Sequence, residues 1–283
     1  MIIDVTDLSF GYDERLILKH IDFRIQEPSV IAVVGPNGVG KSTLFKLILG
    51  LLRSRDGSIR VFDRSITNLS RRELAKDLAY IPQSHFPTYN YSVLSTVLMG
   101  MVGQVGLFSS PSALQKEAAY GALESLGIAH LALRGYAQIS GGERQLALIA
   151  RALVQEAKVL IMDEPTANLD FGNQLMVMER VQMLSKEGYT VLVSLHNPQH
   201  AYLYADKSLV LHGGEVLTFG KTREVLDQRT LEKIYRIDIN LLDVDNDGER
   251  IRVPMPKKRR RIRYEKTEDM GITSGDCSIA ERL

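Results

Sequence analysis

Apolar and polar positions alternate through residues 2–27, the two-residue period of half-buried antiparallel strands, with a turn expected at Gly11-Tyr12-Asp13. Val30 to Val34 differs: five consecutive apolar residues run into Gly35, as in a central strand covered on both faces. From Lys41 to Leu52 the period lengthens to that of a helix, with Leu44, Leu47, Ile48 and Leu51 expected on one face. Gly57 punctuates a further strand pair around Ile59 to Phe62, and helical spacing returns at Ser112 to Leu126 and Gly142 to Gln155. Val159 to Met162, Thr190 to Leu195 and Ser208 to Leu211 are strand candidates about one helix-length apart, which predicts a parallel sheet with crossover helices.

One stretch breaks the usual mixture. Leu78 to Gln115 holds no Asp, Glu, Lys or Arg across 38 residues, although charged residues make up 24% of the chain. Pro82, Pro87 and several glycines interrupt it, so it does not read as a membrane helix. Two readings stand: a buried helix with loops, or a surface that docks on an apolar segment of another protein.

Composition adds limits. The chain has 283 residues, 45% of them hydrophobic, and a formal net charge of +1, which argues neither for nor against nucleic acid. Its single cysteine, Cys277, forms no internal disulfide, which suits a reducing compartment. The first ten residues lack the basic-then-apolar order of a signal peptide. No stretch reaches the ~20 apolar residues of a membrane span, so any link to a membrane is expected to run through a partner. Charge gathers at the end: residues 257–283 carry eight Lys/Arg and five Asp/Glu, leaving 27 against 29 in residues 1–256. The run Lys257, Lys258, Arg259, Arg260, Arg261, Arg263 reads as a solvated tail, with a nucleic-acid or lipid-headgroup role as the alternative.

The chemistry begins where the first apolar strand ends. Gly35-Pro36-Asn37-Gly38-Val39-Gly40-Lys41-Ser42 fits G-x-x-x-x-G-K-[ST] in full, between an apolar strand and an amphipathic helix, with Thr43 next in the chain. Glycines let backbone N–H groups turn inward around phosphate oxygens, and the helix behind points its positive end at the same anion. Lys41 is expected to neutralise the β- and γ-phosphates and Ser42 to offer a hydroxyl to Mg²⁺. Four apolar residues, Val159 to Met162, then lead into Asp163 and Glu164. Adjacent carboxylates divide the labour: Asp163 holds the Mg²⁺ shell through water, and Glu164 polarises the water that attacks the γ-phosphate.

Ile139-Ser140-Gly141-Gly142-Glu143-Arg144-Gln145 precedes a helix about 20 residues before the acidic pair. Here the chain resembles the ATP-binding-cassette (ABC) ATPases, whose signature reads LSGGQ in this place. The resemblance covers roughly residues 1–240. It implies that Tyr12 stacks on adenine, that Gln83 is a Mg²⁺ ligand and sensor, that Asn168-Leu169-Asp170 is the D-loop, and that His196 contacts the γ-phosphate. It implies that Ser140, Gly141 and Gly142 grip the ATP of a second subunit, so that two ATP molecules join a head-to-tail homodimer. Two residues depart from the commonest pattern: Ile139 stands for Leu, and Glu143 for Gln. The second adds a negative charge near a triphosphate, with Arg144 alongside expected to offset it.

The fold implied is α/β: a P-loop NTPase core with a mainly parallel sheet, an N-terminal antiparallel β subdomain and a helical signature subdomain. The expected divisions are 1–84 (β subdomain and phosphate loop), 85–155 (helical subdomain), 156–240 (the rest of the core), 241–256 (a C-terminal extension) and 257–283 (the basic tail). Integral membrane permease subunits are expected to dock on 84–110, so that a charge placed at Val93 uncouples transport. A substrate-binding protein outside the cell would deliver cargo, the chain would lie on the cytoplasmic face of the membrane, and a nucleic-acid partner is not expected. Tyr89-Asn90-Tyr91-Ser92-Val93, Thr96-Val97-Leu98-Met99-Gly100 and His196-Asn197-Pro198-Gln199-His200-Ala201 resemble the subgroup that powers uptake of iron chelates, haem and cobalamin, with molybdate in a related group. The competing class is a soluble ABC ATPase of translation or DNA repair. Those carry two cassettes or a long coiled-coil insertion, and this chain has neither.

Overall fold

The computed structural model describes residues 1–83, 90–103, 110–246 and 248–257. The N-terminal alternation becomes β1 (Ile3–Tyr12) and β2 (Arg15–Ile25), which pair antiparallel with β4 (Asp56–Val61) and β5 (Arg64–Ser65) in the order β2-β1-β4-β5. The first turn falls at Asp13 and Glu14, two residues later than expected, because Gly11 and Tyr12 stay in register opposite Leu16 and Arg15.

A second sheet carries the core. Its order is β10-β9-β3-β8-β7-β6, comprising β3 (Val30–Val34), β6 (Leu78–Ile81), β7 (Val159–Met162), β8 (Thr190–Leu195), β9 (Lys207–His212) and β10 (Glu215–Lys221). All its pairings are parallel except that of β10 with β9. The apolar runs have the physical reason expected of them: both faces are covered. Val30, Ala32 and Val34 join one buried cluster while Ile31 and Val33 join another, and Leu160 and Met162 divide from Val159 and Ile161 in the same way.

One face packs on α1 (Lys41–Ile48) and the antiparallel sheet. The other packs on helices that include α3 (Val93–Leu98), α4 (Ala113–Ser125), α5 (Gly141–Leu153) and α6 (Phe171–Lys186). α1 is shorter than its periodicity suggested. It ends at Ile48 and Leu49, and Leu51 is exposed rather than on the buried face. α2 (Arg71–Asp77) leads into β6. The uncharged stretch, where described, supplies β6 and α3. Val93 and Val97 are fully buried, so a charge at Val93 would break the core instead of probing a docking surface. Residues 84–89 and 104–109 of that stretch, and the tail after Lys257, lie outside the described residues.

The chain closes with α7 (Pro198–Tyr204), α8 (Thr222–Val225), α9 (Gln228–Tyr235) and an antiparallel hairpin, β11 (Ile239–Asn246) with β12 (Glu249–Pro256). The sequence reading gave 241–256 only as an extension and did not name this hairpin. Its strands carry alternating Asp and Arg residues that pair across it, as Asp243 does with Arg252 at 3.0 Å. Among the described residues, no helix is long and apolar enough to cross a membrane.

Candidate functional site

The loop from β3 to α1 ends at Gly40, whose φ of 110° lies in a region that side chains with a Cβ avoid. That conformation starts α1 with no side-chain cap, so its first N–H groups face the loop interior unserved by a neighbouring side chain. Lys41, only 5% exposed, donates to the carbonyls of Gly35 at 2.9 Å and Pro36 at 3.2 Å. Burial lowers the pKa of its ammonium, while Glu164 and Asp163 pull it back up. A buried cation at the positive end of a helix is unfavourable unless an anion compensates it. That combination suits a phosphate.

Opposite stands a carboxylate held at both oxygens. Glu164 Oε2 accepts from Gln83 Nε2 at 2.8 Å, and Glu164 Oε1 lies 2.6 Å from His196 Nε2. Its backbone is left-handed, with φ of 49°, and its N–H donates to Ser194 Oγ at 2.7 Å. The Ser194 hydroxyl in turn donates to Asp163 Oδ1 at 2.8 Å. One serine thus fixes both members of the acidic pair. Sequence reading missed Ser194, although a hydroxyl inside the apolar run 191–195, all of it buried, was the available signal.

These groups surround one cavity of about 410 Å³, lined by Asn37, Gly38, Gly40, Lys41, Ser42, Thr43, Gln83, Glu164 and His196, with Ile17 reaching in from β2. Asp163 is buried beneath it, tied to Ser194. Tyr12 is not among the lining residues. It is 52% exposed at the end of β1, edge-on to Phe10 at 5.1 Å. A hard cation would find oxygen donors here in the Ser42 hydroxyl, the Gln83 amide oxygen (its nitrogen being occupied by Glu164) and the Asp163 carboxylate. Among the described residues no cluster of His, Cys, Asp or Glu holds a metal by itself. Few protein oxygens plus phosphate oxygens is the usual arrangement for Mg²⁺, so the donor set fits that ion.

The signature residues form a separate place. Ser140 caps α5: its hydroxyl accepts from the Glu143 N–H at 3.2 Å, and its own N–H donates to Glu143 Oε2 at 2.7 Å. Gly142 is needed for a close approach, since a Cβ there would overlap the Asn173 amide, and a Cβ on Gly141 would crowd Leu169. Asn173 also binds Asp170, which caps α6 by accepting from the Asn173 N–H at 2.8 Å. Asp170 therefore braces the signature helix through Asn173 and does not line the cavity. Arg144 does not pair with Glu143. Its guanidinium donates to the carbonyls of Tyr136 at 3.2 Å and Ala137 at 2.8 Å.

A glycine-cradled helix start with a buried lysine, facing an anchored carboxylate across the strand ends of a mainly parallel sheet, defines a P-loop nucleotide-binding protein. The ABC transporter family profile matches residues 18–167. An ABC transporter ATP-binding protein of Haemophilus influenzae is 40% identical over 242 residues, covering 86% of this chain and 92% of its own length. A Helicobacter pylori protein named "Probable iron chelatin transport ATP-binding protein" is 34% identical over 248 residues, with 87% and 97% covered. Among solved structures, a transporter described as of metal-chelate type, in an inward-facing conformation, aligns with a TM-score of 0.82 at 31% identity, covering 90% of this chain and 97% of that one. The chain belongs to the ABC transporter ATP-binding family, and it is an ATPase of the kind that powers transport.

Proposed function

We propose that this chain is the ATP-hydrolysing subunit of an ABC importer for a metal chelate or related cargo of the iron-siderophore, haem, cobalamin or molybdate class. The observation that carries the reading is the gathering of Lys41, Ser42, Gln83, Glu164 and His196 around one cavity. The phosphate loop, Gly35 to Ser42 with Thr43, holds the triphosphate of ATP, and Tyr12 stacks on its adenine. Ser42, Gln83 and Asp163 hold Mg²⁺. Glu164 accepts the proton of the attacking water, and His196 senses the γ-phosphate.

Ser140, Gly141 and Gly142 present a second helix start to the nucleotide of another copy, with Asp170 bracing it, and two ATP molecules join a homodimer. Closure of that dimer drives permease subunits, fed by a substrate-binding protein outside the cell, from the cytoplasmic face of the membrane. A groove of about 390 Å³ lined by Leu49, Leu51, Leu74, Met99 and Arg151 supports docking of an apolar permease segment beside the 84–110 region. The iron-chelate and metal-chelate names of similar proteins support the cargo class.

The test is purification of the tagged chain from membranes of its own host. Recovery with an integral membrane protein, and chelate uptake that fails when this chain is deleted, are the expected results. Recovery with ribosomes or DNA instead would assign the chain to the soluble class of ABC ATPases.

A further inference from the structure

α9 lies after the parts of the chain that carry nucleotide motifs, yet it reaches the site. The Tyr235 hydroxyl donates to the backbone carbonyl of His196 at 3.0 Å, across 39 positions of sequence. The helix that presents it is firmly held: Leu231 and Ile234 are buried in the main core cluster. Asp227 caps its start by accepting from the Thr230 N–H at 2.7 Å. Glu232, one turn before Tyr235, accepts from Gln228 at 3.0 Å and from the Ile239 N–H at 3.1 Å, which ties the helix to the first residue of β11. Burial pushes the Tyr235 phenol up to about 12, so the hydroxyl keeps its proton, and its role as donor, at ordinary pH.

The carbonyl it holds belongs to the peptide that joins His196 to Asn197. Asn197 is fixed from the other side, since its side chain accepts from the Gln199 N–H at 2.9 Å and caps α7. The His196 carbonyl and the Asn197 side chain thus each carry a restraint, one from α9 and one from α7. The His196 imidazole meets Glu164 Oε1 at 2.6 Å. Release of the carbonyl would let the peptide plane turn and carry the ring away from the carboxylate.

We propose that Tyr235 is a positioning residue for ATP hydrolysis, its hydroxyl holding the His196 carbonyl so that the imidazole stands against Glu164. This rests on the reading of Glu164 and His196 as the hydrolytic pair. It gives the C-terminal helix a part in turnover beyond packing.

Tyr235→Phe keeps the ring and its packing and removes only the donor. Hydrolysis should fall about tenfold in kcat, the size one lost hydrogen bond can carry, with the dissociation constant for ATP changed less than twofold. Single-turnover rates give the second measurement. In a His196→Ala background, Tyr235→Phe should have no further effect, because the group it positions is gone. Wild-type kcat in Tyr235→Phe would overturn the proposal. So would a loss confined to ATP affinity, or the same tenfold loss in the His196→Ala background. Full hydrolysis in His196→Ala alone would instead overturn the reading of His196 on which the proposal stands.

Discussion

Two helices of this protein begin in glycine-rich segments, and they begin in opposite ways. α1 follows a glycine with φ of 110°, has no side-chain cap, and places a buried lysine at its first position. α5 follows Ser140 in a closed capping box, with the carboxylate of Glu143 in its first turn. The second arrangement is an ordinary helix end. α2 has it with Ser70 and Glu73, and α4 has it with Ser112 and Gln115. The first is not: no side chain caps its first N–H groups, and its lysine is held by the carbonyls of Gly35 and Pro36. The phosphate loop is thus locally incomplete at its helix start and suited to an anion, whereas the signature is locally complete. What the signature does for a second nucleotide it must do in addition to capping its own helix.

The comparison breaks hardest at the incomplete site. Glu164→Gln keeps the shape of the carboxylate and removes the proton acceptor, so hydrolysis should fall by roughly 10²–10⁴-fold while ATP binding survives. Phosphate release and equilibrium nucleotide binding measure the two separately, and unchanged hydrolysis would strip Glu164 of the base role. Lys41→Ala acts on the other half of the cavity. It deletes the buried charge that α1 brings to the anion, worth about 1.5–3 kcal/mol as a charge-assisted hydrogen bond. Nucleotide affinity should drop by roughly 10- to 150-fold, and wild-type affinity would mean that the loop binds by its backbone alone.

The same contrast explains what could be read before the structure. β3, β7 and β8 were legible because a strand buried on both faces must be a continuous apolar run, and a phosphate loop must be glycine-rich. Long-range polar contacts carried no such signature. Ser194, which pins Asp163 and Glu164 together, and Tyr235, which reaches His196, act over 30 and 39 positions of sequence. The β11–β12 hairpin was left unread, although Leu242-Asp243-Val244-Asp245 and Arg250-Ile251-Arg252-Val253 alternate apolar and polar as strands do. Val93 misled for the reverse reason: absence of charge describes a core helix as well as a docking surface, and burial decides for the core.

At the complete helix end the effects should be smaller. Ser140→Ala removes the acceptor of the Glu143 N–H, and loss of such a cap costs about 1 kcal/mol of stability. Thermal melting reads that cost. If the hydroxyl also grips the nucleotide of a second copy, hydrolysis by the assembled protein should fall severalfold further, with nucleotide affinity of the isolated subunit unchanged. A loss of stability with full turnover would reduce the serine to a cap.

The smallest and most discriminating change is Glu143→Gln. The cap itself should persist, because Gln115 already performs the same task in this chain, accepting from the Ser112 N–H at 2.9 Å. What disappears is one negative charge at the start of α5, which has two opposed consequences. The helix loses a favourable interaction with its own positive end, about 0.3–1 kcal/mol at low ionic strength, so the melting temperature should fall slightly. A bound triphosphate loses a repulsive neighbour, so ATP-dependent dimerisation should tighten severalfold, and salt should erase that gain. Acid separates the two effects. The hydrogen bond from the Ser140 N–H holds the Glu143 carboxyl below the usual carboxylate range. Its contribution to stability is therefore present above that range and lost as pH falls through the depressed value. Glu143→Gln has no such group to titrate, so the stability difference between the two proteins should shrink toward zero as pH drops below about 4. The carboxylate is partly exposed, which keeps the difference small at every pH. If the variant dimerises no more tightly than the natural chain at low salt, the charge at position 143 lies too far from the triphosphate to matter. The glutamate is then a cap and nothing more.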